Sequence, residues 1–129
     1  MQIPAKEIAL MMEAGHICRY GRRFREAREI FQGVAALLPT REIADLALAA
    51  VACDEHKFDE AEKICRRTFR LNPRSAAACA QLAEVQILRG DTTSAAQTLK
   101  RAHDLHPGEP LLGLIKSLEH LAKLTSRRA

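Results

Sequence analysis

A period of 34 residues constrains this chain more than any other feature of its sequence. The stretch Lys57-Phe58-Asp59-Glu60-Ala61 opens a run that closes on Leu71-Asn72-Pro73. Upstream, Arg23-Phe24-Arg25-Glu26-Ala27 leads to Leu37-Leu38-Pro39, and downstream Asp91-Thr92-Thr93-Ser94-Ala95 leads to Leu105-His106-Pro107. Ala27, Ala61 and Ala95, like Pro39, Pro73 and Pro107, are each 34 residues apart with no insertion between them. Two independent triplets at one period mark a repeat array. Units this short cannot bury their apolar faces alone, so they stack on their neighbours.

The spacing of apolar residues inside each period is helical. It predicts helices over Ala5–Tyr20, Phe24–Leu37, Glu42–Asp54, Asp59–Leu71, Ala76–Leu88, Thr93–Leu105 and Leu111–Leu124. Gly21 and Gly90 break the pattern, and Pro39 disfavours helix in the residue before it. Thr40, Ser75 and the Asp91–Thr93 segment are the expected N-caps, and Pro110 suits a first helical position. Aromatics make up only 4% of the residues and there is no Trp, so alanine and leucine carry the packing. That favours close helices over a sheet. The expected fold class is all-α: a helical solenoid over residues 1–129 as one domain, with repeats at 8–41, 42–75 and 76–109 and a closing helix over 110–124.

The same residues speak against several functions. A net charge of +4 is mild, and the basic residues are interleaved with acidic ones. Arg22, Arg23, Arg25 and Arg28, with Arg66, Arg67, Arg70 and Arg74, lack the interleaved aromatics that stack bases, which disfavours nucleic acid as a partner. Cys18, Cys53, Cys65 and Cys79 form no Cys-x-x-Cys pair and read as free thiols of a reducing compartment. No secretory leader or membrane span is expected, so the expected location is the cytoplasm. His103 and His106 lack a third ligand, and no phosphate loop or nucleophile motif occurs. No metal, cofactor or catalytic residue is expected, and the chain is not read as an enzyme.

Over Ile8–Glu109 the sequence resembles the tetratricopeptide repeat family. Its small position is Gly15, Ala49 and Ala83; its conserved alanine is Ala27, Ala61 and Ala95; its proline is Pro39, Pro73 and Pro107. Phe24 and Phe58 fill the aromatic position, which Thr92 vacates in the third repeat. The resemblance implies a right-handed superhelix whose first helices line a concave groove. Family geometry places Ala9, Met12 and His16 there from the first repeat, Ile43, Leu46, Ala50 and Cys53 from the second, and Ala77, Ala80, Glu84, Ile87 and Leu88 from the third. Members that grip the carboxylate of heat-shock chaperones use Lys, Asn and Arg where this chain has Met12, His16, Ala47, Ala77 and Gln81, so that clamp is not expected.

The expected partner is instead a protein contributing an apolar peptide or amphipathic helix. The expected role is an adaptor or chaperone, similar in size and architecture to bacterial type III secretion chaperones. A homodimer, or a homo-oligomeric scaffold without a peptide client, is the alternative. Leu111, Leu114, Leu118 and Leu121 are spaced as one helical stripe, to be read either as a cap packed on the third repeat or as a dimer contact continuing the groove.

Overall fold

The computed structural model describes residues 3–126. Among them are seven α-helices and no strand: α1 (Ala5–Tyr20), α2 (Phe24–Leu37), α3 (Glu42–Asp54), α4 (Phe58–Leu71), α5 (Ala76–Leu88), α6 (Thr92–Asp104) and α7 (Leu111–Ser126). The fold is all-α, three helix pairs followed by a closing helix. Ser75 caps α5 by accepting a hydrogen bond from the Ala78 amide at 3.0 Å, and Asp91 caps α6 by accepting from Ser94 at 3.1 Å. Thr40 does not cap α3. Arg41 occupies that N-cap without a side-chain cap bond, and its guanidinium reaches Asp45 at 3.2 Å instead. Pro110 precedes α7, and the Glu109 carboxylate accepts from the Gly113 amide at 3.1 Å.

The period is also written into the backbone. Arg22, His56 and Gly90, spaced by 34, are all left-handed, with φ of 61°, 61° and 83°. Around them the amides of Arg23, Lys57 and Asp91 donate to the carbonyls of Cys18, Ala52 and Gln86 at 2.8, 2.8 and 2.9 Å. This is the six-to-one bond that closes a helix with a left-handed residue. Gly21, the expected turn residue, has an ordinary φ of −80° and donates its amide back to Ile17. The strain thus falls on Arg22 and His56, whose side chains lie against Phe24 (5.1 Å) and Phe58 (5.6 Å). The third turn has Thr92 in place of the aromatic and Gly90 in place of a side chain to stack on it. Gly90→Ala meets no neighbouring atom, so its cost is conformational: about 1–2 kcal/mol, read from urea melts.

Residue contacts divide the chain into two compact units, Met1–Ile64 and Cys65–Ala129. In the first, Phe31, Ala27 and Val51 are fully buried together with Ala47 and Leu48, and Met12, Cys18, Phe24 and Ile64 pack around them. A second cluster joins Val34, Ala35 and Ala44 to Ile8, Met11 and Leu38. α3 thereby lays Ala44, Leu48 and Val51 against the α1–α2 pair. Gly15 is what allows α1 to close on α2: a β-carbon built there falls 2.7 Å from Phe31 Cζ and 2.9 Å from Cδ1.

In the second unit α5, α6 and α7 share one core, including Ala83, Leu99, Ile115, Leu118 and Ala122. α7 is out of step with the repeats. Its buried Ile115 and Ala122 stand 37 residues after the buried Ala78 and Val85, not 34. The turn Pro107-Gly108-Glu109-Pro110 absorbs the three-residue slip.

Candidate protein-binding surface

The twelve groove positions expected from sequence divide by burial. Ala9, Ile43 and Leu88 are exposed, and Met12, His16, Leu46, Ala77 and Glu84 are half-buried. Ala50, Cys53, Ala80 and Ile87 are buried, so they do not form part of an open apolar strip. For Ala80 and Ile87 the cause is α7, which packs Ile115 and Leu118 into the same cluster. Small apolar side chains at those positions serve helix packing.

The four leucines of the expected stripe on α7 also separate. Leu118 is buried and Leu111 packs on the core's edge, whereas Leu114 and Leu121 are 47% and 44% exposed. The stripe runs along the border of the buried face. The 37-residue offset explains the split, because Leu114, Leu121 and Leu124 stand 37 residues after Ala77, Glu84 and Ile87. The exposed leucines of α7 therefore take the positions on their helix that the groove reading assigns to α5. Leu124, equally exposed, was missed by reading α7 as a heptad-like stripe, and the three-residue slip is the signal that locates it. Leu88, at the end of α5, is also exposed.

In the first unit, His16 lies between α1 and α2, its ring 4.9 Å from that of Phe31 and stacked over Tyr20. Arg19 donates to its Nδ1 at 3.4 Å and pairs through Nε with Asp54 at 2.9 Å. Burial, and then the Arg19 charge, hold the imidazole below its ordinary pKa, against the opposing pull of Asp54. His16 is a neutral acceptor here, suited to contact rather than to proton transfer.

Arg28 ties three elements together. It bridges from α2 to Glu55, which ends α3, and to Glu60 of α4 at 3.0 Å. Arg23 and Arg25 pair with Glu26 and Glu29 on their own helix, so this stretch of arginines is matched by acids. Desolvation works to raise the Glu55 pKa, but its hydrogen bond and charge contact with Arg28, helped by Lys57, outweigh it and hold the carboxyl below 4.5. A carboxylate depressed on folding stabilises fully above its unfolded pKa, and that contribution disappears as pH falls through the folded value. Glu55→Gln should therefore cost about 1 kcal/mol at neutral pH. The difference from wild type in urea melts should shrink once the pH drops below about 4.5.

No group of three or more His, Cys, Asp or Glu among the described residues is placed to hold a metal ion, and no helix is long and apolar enough to cross a membrane. Cys53, Cys65 and Cys79 are buried and Cys18 is half-buried. Desolvation raises the Cys79 pKa against the nearby Arg101 charge, which keeps it protonated. An open pocket of about 600 Å³ lies between the start of α6 and the end of α7, lined by Thr92, Thr93, Gln97 and Lys123 among others.

Paired helices with one repeating turn define a helical repeat protein. The model of the tetratricopeptide repeat matches residues 52–118, just over half of the sequence, and the chain belongs to that family. A search by sequence among curated proteins returns no match. Among solved structures the chain is similar to PcrH from Pseudomonas aeruginosa, at 14% identity and a TM-score of 0.75, covering 96% of this chain and 95% of that one. It is similar also to the Yersinia enterocolitica type III secretion chaperone SycD in complex with a peptide of the translocator YopD (17% identity, TM-score 0.69, 98% and 99% covered). The TPR2B domain of yeast Sti1, in a complex with pHsp70, matches at 20% identity and a TM-score of 0.72, with 93% and 96% covered. At such identities these likenesses speak for the fold.

Proposed function

We propose that this chain is a protein-binding adaptor or chaperone that holds an apolar or amphipathic segment of a partner protein, and that in the second unit the exposed leucines of α7 take part in holding it. The observation that carries this reading is the row Leu114, Leu121 and Leu124, about half exposed beside the side of α7 that buries Ile115, Leu118 and Ala122. Leucines left about half exposed recover about 1 kcal/mol each when a partner covers them. Solved structures of similar fold bind segments of other proteins: SycD a peptide of YopD, PcrH the chaperone-binding region of PopB. A role as a type III secretion chaperone is the finer form of the proposal, and the full-length likeness to PcrH and SycD supports it. The residues at the carboxylate-clamp positions, Met12, His16, Ala47, Ala77 and Gln81, favour an apolar client over a heat-shock C-terminus.

The test is capture of partners from the native host by the wild-type chain and by Leu114→Glu/Leu121→Glu, followed by mass spectrometry and binding of the captured protein's apolar segment as a synthetic peptide. Wild type should bind that peptide and the double variant should lose about 100-fold in affinity with an unchanged thermal melt. Equal binding by both would sink the reading.

A further inference from the structure

One cleft recurs in both units, closed in the first and open in the second. In the first unit Phe24, at the start of α2, packs on the cluster that holds Phe31 of α2 and Val51 of α3. Arg28, one turn further on, reaches across to Glu55 at the end of α3. The corresponding residues of the second unit lie 68 positions on in α6 and, with the three-residue slip, 71 positions on in α7. Phe24 becomes Thr92, Arg28 becomes Ala96 and Glu55 becomes Ser126, while Phe31 and Val51 become Leu99 and Ala122. All five line the pocket of about 600 Å³ between α6 and α7. The ring that fills the cleft and the ion pair that spans it are thus both cut back to small side chains, and the pocket is what this leaves.

One lining residue is enlarged instead. Ala52, fully buried in the first unit, has Lys123 as its counterpart, exposed at the edge of the pocket. The Lys123 ammonium has no ion-pair partner among the described residues. Glu119, the acid among the lining residues, lies 3.7 Å from Nδ1 of His103. The floor of Ala96, Leu99 and Ala122 is therefore apolar, and a cation without a counter-charge stands beside it.

We propose that this cleft is a second docking site, which takes an aromatic side chain of a partner protein with an acidic residue next to it. The ring occupies the place that Phe24 holds in the first unit, and the acid pairs with Lys123. Because the pocket is open on one side, it suits a side chain carried in on a peptide better than a small molecule, which would need enclosing walls. A ring brings about 150–250 Å² of surface to such a floor and offers its face to a neighbouring ammonium. None of the exposed leucines of α7 lines this pocket, so the site stands or falls apart from the client reading.

The test is a titration followed by the amide resonances of the isotope-labelled chain, with acetyl-Phe-Glu-Glu-amide as probe. The peptide should bind with a Kd of about 1 mM and move the resonances of Thr92, Ala96, Ala122 and Lys123. Its Leu-for-Phe form should bind about fivefold more weakly. Its Gln-for-Glu form, and the original peptide on Lys123→Ala, should each bind about threefold more weakly. Thr92→Phe should close the cleft from within, raising the melting temperature by about 3 °C and weakening the probe at least about tenfold. Ala96→Phe, at an exposed position, should block the probe likewise. Leu114→Glu/Leu121→Glu should leave binding unchanged. An absence of binding at about 10 mM overturns the proposal. So does equal binding of the Phe and Leu forms, binding that survives both blocking variants, or binding lost in Leu114→Glu/Leu121→Glu, which would place the probe on the leucine row.

Discussion

Gly15→Ala should destabilise the chain by about 2 kcal/mol net, although alanine is the better helix former. The residue sits in mid-helix, where replacing glycine by alanine ordinarily gains about 1 kcal/mol. Here the added methyl falls 2.7 Å from Cζ of a Phe31 ring that is itself wholly buried. Such a ring cannot swing away without moving α2, and overpacking of this kind costs about 1–3 kcal/mol or somewhat more. The third repeat shows what would relieve it. Its corresponding pair is Ala83 and Leu99, both buried in one cluster. Phe31→Leu alone should open a gap and destabilise the first unit, whereas Gly15→Ala/Phe31→Leu should recover much of what each single change loses. Urea melts of the four chains give that coupling directly. A Gly15→Ala chain as stable as wild type would mean that α1 does not approach α2 this closely.

The pair also illustrates how much the sequence discloses. The 34-residue period, the small residues at Gly15, Ala49 and Ala83, and the prolines that end the second helices placed every helix within two residues of its observed ends. Those features act locally or repeat three times. Features that depend on contact geometry were harder to read. Gly21 looked like the turn residue because glycine tolerates positive φ, yet the closing hydrogen bond puts the left-handed position one residue later, on Arg22. Thr40 had the chemistry of an N-cap but not the position. Ala50, Cys53, Ala80 and Ile87 illustrate a deeper ambiguity: a small apolar side chain reads the same whether it lines an open surface or lies under a neighbouring helix. Only the register of α7, shifted by a four-residue turn, decides that Ala80 and Ile87 are covered and that Leu114, Leu121 and Leu124 are open.

Ile115→Ala should be among the most damaging single changes in the second unit, costing about 2–5 kcal/mol. Leu121→Ala, six residues further along the same helix, should stay within about 0.5 kcal/mol of wild type. In composition the two sites are alike, both branched aliphatic residues in a helix crowded with leucines. Ile115 is 0% exposed among Leu99, Leu118 and residues of α5 and α6, so truncation leaves a cavity that the helices packed around it cannot readily collapse. Leu121 is 44% exposed, so much of its side chain is already in water in the folded chain. Denaturant melts of the two variants separate a packing role from a surface role without reference to any partner. Equal losses would mean that both faces of α7 are buried, leaving no row of leucines for a client. The expected inequality leaves Leu121 contributing little to the fold, and a large apolar side chain that the fold does not need is available for a partner.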